Sequence, residues 1–166
     1  VMTGRPFRIE RIRARRKKSG LMRQHLTAVR AAATIGGASL VGAELGSTEL
    51  EFHPSGTFHG THCFPLGTAG STNLVIQTVL PALLAKPGQS TLIVEGGTHN
   101  MMAPPFDFLD RAFLPILRRM GASVHATLER PGFFPAGGGR VKVEIDSSGV
   151  LEPIDIDDKR ALFTTV

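Results

Sequence analysis

Gly121-Ala122-Ser123-Val124-His125-Ala126-Thr127-Leu128 and Gly37-Ala38-Ser39-Leu40-Val41 decide the fold, because each run follows a helix-like segment and opens a strand-like one. A glycine that ends a helix and leads straight into an alternating apolar stretch marks the passage from helix to strand, and its recurrence predicts an internal repeat. Outward from Gly121, the pattern reads strand (62–66), helix (70–85), strand (90–95), helix (105–120), strand (122–130) and strand (140–146), or β-α-β-α-β-β. Outward from Gly37 it reads strand (7–13), helix (21–35), and strands 38–45 and 48–53 across a Gly46-Ser47 turn, or β-α-β-β. The helix is set by Met22, Leu26, Val29 and Ala33 on one face.

If both copies share one plan, the first lacks its opening β-α, and Val1 to Gly4 would be the tail of a preceding helix. The chain is then expected to be a fragment. Residues 1–60 form a partial first unit, 61–146 a complete second unit, and 147–166 the start of a further one, with Leu151, Ile154 and Ile156 in a strand. The expected class is α/β in the two-layer α+β sense: repeated β-α-β-α-β-β units with helices on one face of each mixed four-stranded sheet.

Charge is concentrated at one end. Arg5, Arg8, Arg11, Arg13, Arg15, Arg16, Lys17, Lys18 and Arg23 are opposed within residues 1–23 only by Glu10, while the whole chain carries a formal +5. Such a local field attracts phosphates. A transit peptide or a solvated arm is the bland alternative, but Phe7, Ile9 and Ile12 have strand-like spacing and Ser19-Gly20 leads into a periodic helix, so the arginines read as mounted on structure.

With 166 residues, 42% hydrophobic and 20% charged, the chain suits a globular domain. No apolar run approaches the roughly 18 residues of a membrane span, so no membrane partner is expected. One cysteine, Cys63, excludes an internal disulfide, and the absence of a visible secretory signal makes the cytoplasm the default location.

Three loops stand out. Gly67-Thr68-Ala69-Gly70-Ser71-Thr72 runs from strand to helix and resembles a phosphate cradle, although Ser71 or Thr72 as a plain N-cap reads equally well. Glu95 to Pro105 collects turn formers, polar groups and the pair Pro104-Pro105, either lining a site or acting as a rigid connector. Pro131 to Gly139 sets Phe133 and Phe134 beside a glycine run, to stack a base or to close a long hairpin.

Helix 70–85 is apolar nearly all round, which makes Gln77 its polar exception, either a ligand contact or a glutamine satisfied by a neighbouring loop. Pro81 and Pro115 each fall inside a helix and should kink it. His53, His59, His62 and Cys63 invite a zinc reading, but no paired-cysteine spacing supports it and no metal ligands are assigned. His25 and His99 are acid-base candidates, or structural histidines held by hydrogen bonds.

Taken in order, Ile12-Arg13-Ala14-Arg15-Arg16, Gly20 to Leu26, Gly42 to Ser47, Gly70-Ser71, Gln77-Thr78-Val79-Leu80-Pro81, Gly96-Gly97-Thr98, Ala103-Pro104-Pro105 and Gly132 to Gly139 resemble the RNA 3'-terminal phosphate cyclase family. The resemblance implies a ligase-type enzyme that uses ATP and a divalent metal, magnesium or manganese. A histidine takes AMP from ATP, AMP passes to an RNA 3'-phosphate, and the 2'-OH closes a 2',3'-cyclic phosphate. It implies RNA with a 3'-phosphate end as partner and Gln77, Pro104 and Pro105 as nucleotide-binding residues. Arg13, Arg16, Lys18, Arg23 and Gln24 fall to the segment that faces phosphates. The family usually has glycine at Arg15 and proline at Ser19, so charge is gained here and rigidity lost.

The family's adenylylated histidine is expected beyond Val166 and its metal-binding glutamate before Val1, so no catalytic residue is assigned within the chain. Alone it should bind nucleotide or phosphate without completing a turnover. A noncatalytic relative serving as a binding module in ribosomal RNA processing is the alternative function, and an enolpyruvyl-transferase-like enzyme lacks matching motifs.

Overall fold

The structure, a computed structural model, describes residues 1–155. Its elements run β1 (Phe7–Ile9), α1 (Arg23–Gly36), β2 (Ser39–Val41), β3 (Leu50–His53), β4 (Gly60–Pro65), α2 (Thr72–Leu84) and β5 (Pro87–Gly96). Then follow α3 (Phe106–Phe108), a π turn (Leu109–Phe113), α4 (Leu114–Arg119), β6 (Ser123–Arg130) and β7 (Gly139–Ser148). The first sheet has the order β1-β3-β2 and is antiparallel; the second has the order β4-β5-β7-β6, with β4 parallel to β5 and the other pairs antiparallel. This is the expected α+β arrangement.

Strands β5-β7-β6 reproduce the order β1-β3-β2, and each set carries its helical segment between the first two strands of the chain order. The helix ends repeat as well. Ala38 N donates to Ala33 O at 2.8 Å and Ala122 N to Leu117 O at 3.0 Å, each just past a left-handed glycine, Gly37 (φ 51°) and Gly121 (φ 89°). An amide bonding five residues back across a left-handed glycine is the Schellman closure, which leads the chain from helix into strand in both copies.

Sheet and helices meet in one core. Leu92 and Val94 of β5, Val141, Val143 and Ile145 of β7, and Val124 and Ala126 of β6 alternate inward against Val75, Ile76, Val79, Leu80 and Leu83 of α2 and against Leu109 and Leu114. Each such side chain fully buried contributes about 1.5–3 kcal/mol. Helix α1 joins this core through Ala31 and Ile35, which ties the first unit to the second.

Among the described residues the first sheet has three strands, as its β-α-β-β reading gives, and lacks the parallel strand that β4 supplies in the second. Other expectations change. Strand β1 stops at Ile9, and residues 11–18 form turns with Arg11 (φ 56°) and Arg13 (φ 55°) in the left-handed region, so the arginines stand on a closed loop and not on a strand. Hydrogen bonds compensate: Ile12 N donates to Thr48 O at 2.9 Å, Gly20 N to Ile12 O at 2.8 Å and Leu21 N to Ser47 O at 2.9 Å. The strands expected at 38–45 and 48–53 shorten to Ser39–Val41 and Leu50–His53 for the same reason, since residues 46–48 pair with this loop.

Helix α2 continues through Pro81, which sits on its exposed side. Near Pro115 the expected disruption takes the form of the π turn, which absorbs the missing amide donor by widening the helix one turn earlier. Residues 151–155 form no strand, although Leu151 packs on the core; Ile156 lies outside the described residues.

Candidate functional site

Three loops rich in glycine gather at the end of the second sheet where β4 and β5 finish and β7 begins. Gly97 N donates to Gly70 O at 2.7 Å and Thr72 N to Gly97 O at 2.9 Å, joining loop 67–72 to loop 96–105. Thr98 N donates to Gly132 O at 2.9 Å, and Gly132 N returns a bond to Thr98 Oγ1 at 2.9 Å, which adds the loop between β6 and β7. Such approach needs residues without side chains. A Cβ on Gly97 would overlap Ala69 O, and one on Gly132 would overlap both Gly139 N and Gly96 O.

The anion cradle expected at 67–72 is occupied from within. Ser71 is the N-cap, its side chain accepting from Leu74 N at 3.4 Å, while Gly70 N donates to Thr68 Oγ1 at 3.2 Å and Ser71 N to Gln24 Oε1 at 2.9 Å. With Thr72 N also engaged, the amides of residues 70, 71, 72 and 74 are already bonded within the protein. Gln24, the second residue of α1, thereby links the first unit to the cap of α2.

Gln77 is half-buried, not buried, and its amide has no hydrogen-bond partner among the described residues. One turn earlier on the same face, Asn73 is fully buried and donates through Nδ2 to Pro104 O at 2.9 Å. Pro104 is half-buried and Pro105 exposed, so the helix carrying Gln77 is bonded directly to the proline pair. Asn73 and Asn100 each leave a buried Oδ1 without a partner, and Asn100 Nδ2 holds Ala69 O. Gln77 stands out in the sequence and Asn73 does not. A signal for it exists all the same, a polar residue four positions before Gln77 in a helix otherwise apolar on that side.

Among the phosphate-facing candidates, Arg13 is half-buried and turns back to its own loop, donating to Lys18 O at 2.7 Å and Gly20 O at 3.2 Å. Arg16, Lys18 and Arg23 are exposed and pair with no carboxylate among the described residues, which leaves their charge to solvent. Among the described residues, Gln24 alone of this group touches the glycine loops by a hydrogen bond.

His53, His59, His62 and His99 each have a hydrogen-bond partner within the protein. His99 lies between Thr98 Oγ1 at 2.7 Å and Asp107 Oδ2 at 3.2 Å and stacks on Phe133 with centroids 5.3 Å apart. His53 pairs with Glu51, His59 with Ser90 and His62 with Phe58 O, so they do not converge with Cys63 on a metal. Phe133 closes the hairpin loop through Gly137 N at 2.7 Å, while Phe134 is 84% exposed.

His25 accepts from Met22 N at 3.2 Å, and burial, followed by the nearby Arg13 charge, holds its pKa below the ordinary histidine value. The unfolded chain therefore binds more protons, so this group's contribution to stability is lost as pH falls below about 6.5 and through the lowered folded value. Arg13→Gln is expected to raise the His25 pKa, read by NMR titration; an unmoved value would leave burial as its sole cause.

The same residues align with known proteins. The family model described as RNA 3'-terminal phosphate cyclase matches residues 1–162. An RNA 3'-terminal phosphate cyclase of Koribacter versatilis is 53% identical over 159 residues, covering 96% of this chain and 45% of that protein. Those of Ralstonia nicotianae and Salmonella typhimurium are 53% and 49% identical, covering 98% and 94% of this chain and 47% and 46% of theirs. The chain thus spans about half the length of the curated relatives it matches. Among the described residues no helix is long and apolar enough to cross a membrane. With the match running almost end to end, the chain belongs to the RNA 3'-terminal phosphate cyclase family.

Proposed function

We propose that this chain is part of an enzyme that uses ATP to convert an RNA 3'-terminal phosphate to a 2',3'-cyclic phosphodiester. The observation carrying the proposal is the pair of bonds at the head of α2: Gln24 to Ser71 N from the basic side, and Asn73 to Pro104 from the other. They join the head of α1, which follows the cationic loop in the chain, and the proline loop to the helix that carries Gln77.

The residues suit a nucleotide. Gln77 offers a free donor and acceptor on a half-buried amide, as hydrogen-bonding a base or ribose requires, and the prolines offer apolar faces to a ring. ATP supplies the activation: a histidine takes AMP from ATP with release of pyrophosphate, AMP passes to the RNA phosphate, and AMP leaves when the 2'-OH attacks that phosphate. Within this chain, Arg16, Lys18 and Arg23 attract the RNA end, Arg13 holds their loop closed, and Gln24 couples that loop to α2. Magnesium or manganese would accompany the nucleotide phosphates; no group of three His, Cys, Asp or Glu among the described residues is placed to hold it, and no step runs through it.

Gln77→Ala in the full-length protein is expected to weaken ATP binding by about threefold to tenfold, the worth of one or two hydrogen bonds, with the melting temperature unchanged. Calorimetric titration checks this. A lowered melting temperature with unaltered ATP affinity would give Gln77 a structural role and reject the nucleotide site.

A further inference from the structure

We infer that Asn73 is a positioning residue of the nucleotide site, setting the distance between Gln77 and the Pro104-Pro105 pair. The inference rests on the nucleotide reading of that site and adds to it a residue that does not itself meet the ligand.

Asn73 is 0% exposed, occupies the second position of α2 and donates its side-chain amide to Pro104 O at 2.9 Å. A proline pair has no amide hydrogen with which to anchor itself to a neighbouring element. Its carbonyl is what a neighbour can grip, and here the gripping group lies one helical turn from Gln77, on the same face. Asn73 Oδ1, meanwhile, is buried without a partner among the described residues. Leaving a buried acceptor unsatisfied costs about 1–3 kcal/mol, which an apolar residue would avoid, so stability alone does not account for an asparagine here.

Thr72 supplies an internal control. It is equally buried, and its hydroxyl donates to Gly97 O at 3.1 Å, the same kind of bond from the same helix end to the same loop, but seven residues before the prolines. If Asn73 positions Pro104, the two residues must differ in ligand affinity while resembling one another in stability.

The experiment titrates ATP calorimetrically into the full-length protein carrying Asn73→Ala, Thr72→Ala or Gln77→Ala, with urea unfolding of each. Asn73→Ala is expected to weaken ATP by about threefold to tenfold, while Thr72→Ala holds affinity within about twofold. Should Asn73→Ala unfold, Asn73→Leu, which keeps the count and branching of the side-chain heavy atoms and removes the orphan oxygen, is expected to fold and to show the same weakened binding. Unchanged affinity in the Asn73 variants, or equal weakening by Thr72→Ala, would overturn the inference while leaving the site intact. If Gln77→Ala binds ATP normally, the nucleotide reading itself fails.

Discussion

Gly132→Ala is expected to destabilise the protein far more than a methyl group added at an unobstructed glycine, and to abolish nucleotide binding with it. The added Cβ would sit within the radii of Gly139 N and Gly96 O, both backbone atoms in strands or at their ends. A flexible side chain would swing aside, but a strand end moves only if the ladder moves. Overpacking of this kind costs about 1–3 kcal/mol or more, and backbone neighbours place it at the upper end. The effect should also be selective. Gly132 shares three hydrogen bonds with Thr98, and Phe106 N bonds Thr98 O at 2.9 Å, so displacement at 132 passes directly into the loop that ends in Pro104-Pro105. Gly56→Ala, whose Cβ would make only ordinary van der Waals contact with Phe58 at 3.5 Å and whose φ is not left-handed, is the reference. Urea unfolding should show the larger destabilisation at 132, and ATP binding should survive only at 56. Equal stability of the two would mean that the loops meet less closely than the hydrogen bonds state.

The basic loop should have the largest effect on RNA. Removing one interaction with a phosphate lowers the slope of log affinity against log salt by about 0.7 for a single strand. Arg16→Gln, at an exposed position without a carboxylate partner among the described residues, should flatten the slope by that amount and weaken 3'-phosphorylated RNA several-fold in low salt. Arg13→Gln should do more. Its guanidinium closes the loop on Lys18 O and Gly20 O, so its removal frees the segment that carries the other charges as well as deleting one. The double variant is expected to flatten the slope by at least about 1.4. Filter binding of a short RNA across a salt series measures it; an unchanged slope would place the RNA elsewhere.

Much of this fold was legible because local chemistry and tertiary structure agree. Gly37-Ala38-Ser39 and Gly121-Ala122-Ser123 both end helices by the same closure, and the alternation through 122–130 and 140–146 matches the inward faces of β6 and β7. The first strand is shorter than its spacing suggests. Ile12 continues the pattern of Phe7 and Ile9, but left-handed turns at Arg11 and Arg13 intervene, held by bonds to residues 47 and 48 that no local pattern contains. The resemblance named candidate members of a site and not their wiring. Gln24, Gln77 and Pro104 stood out through resemblance; the bond from Gln24 to Ser71 spans 47 residues and that from Asn73 to Pro104 spans 31, separations at which sequence spacing carries no geometric information.

The bond between Gln24 and Ser71 binds the history of the two copies. A duplicated unit is ordinarily free to drift, since its twin retains the ancestral task. Here the older arrangement cannot be kept in one copy and abandoned in the other, because a side chain of the first completes the helix cap of the second. Replacing Gln24 leaves the amide of that cap residue without its acceptor, so a change in the first copy is felt in the second.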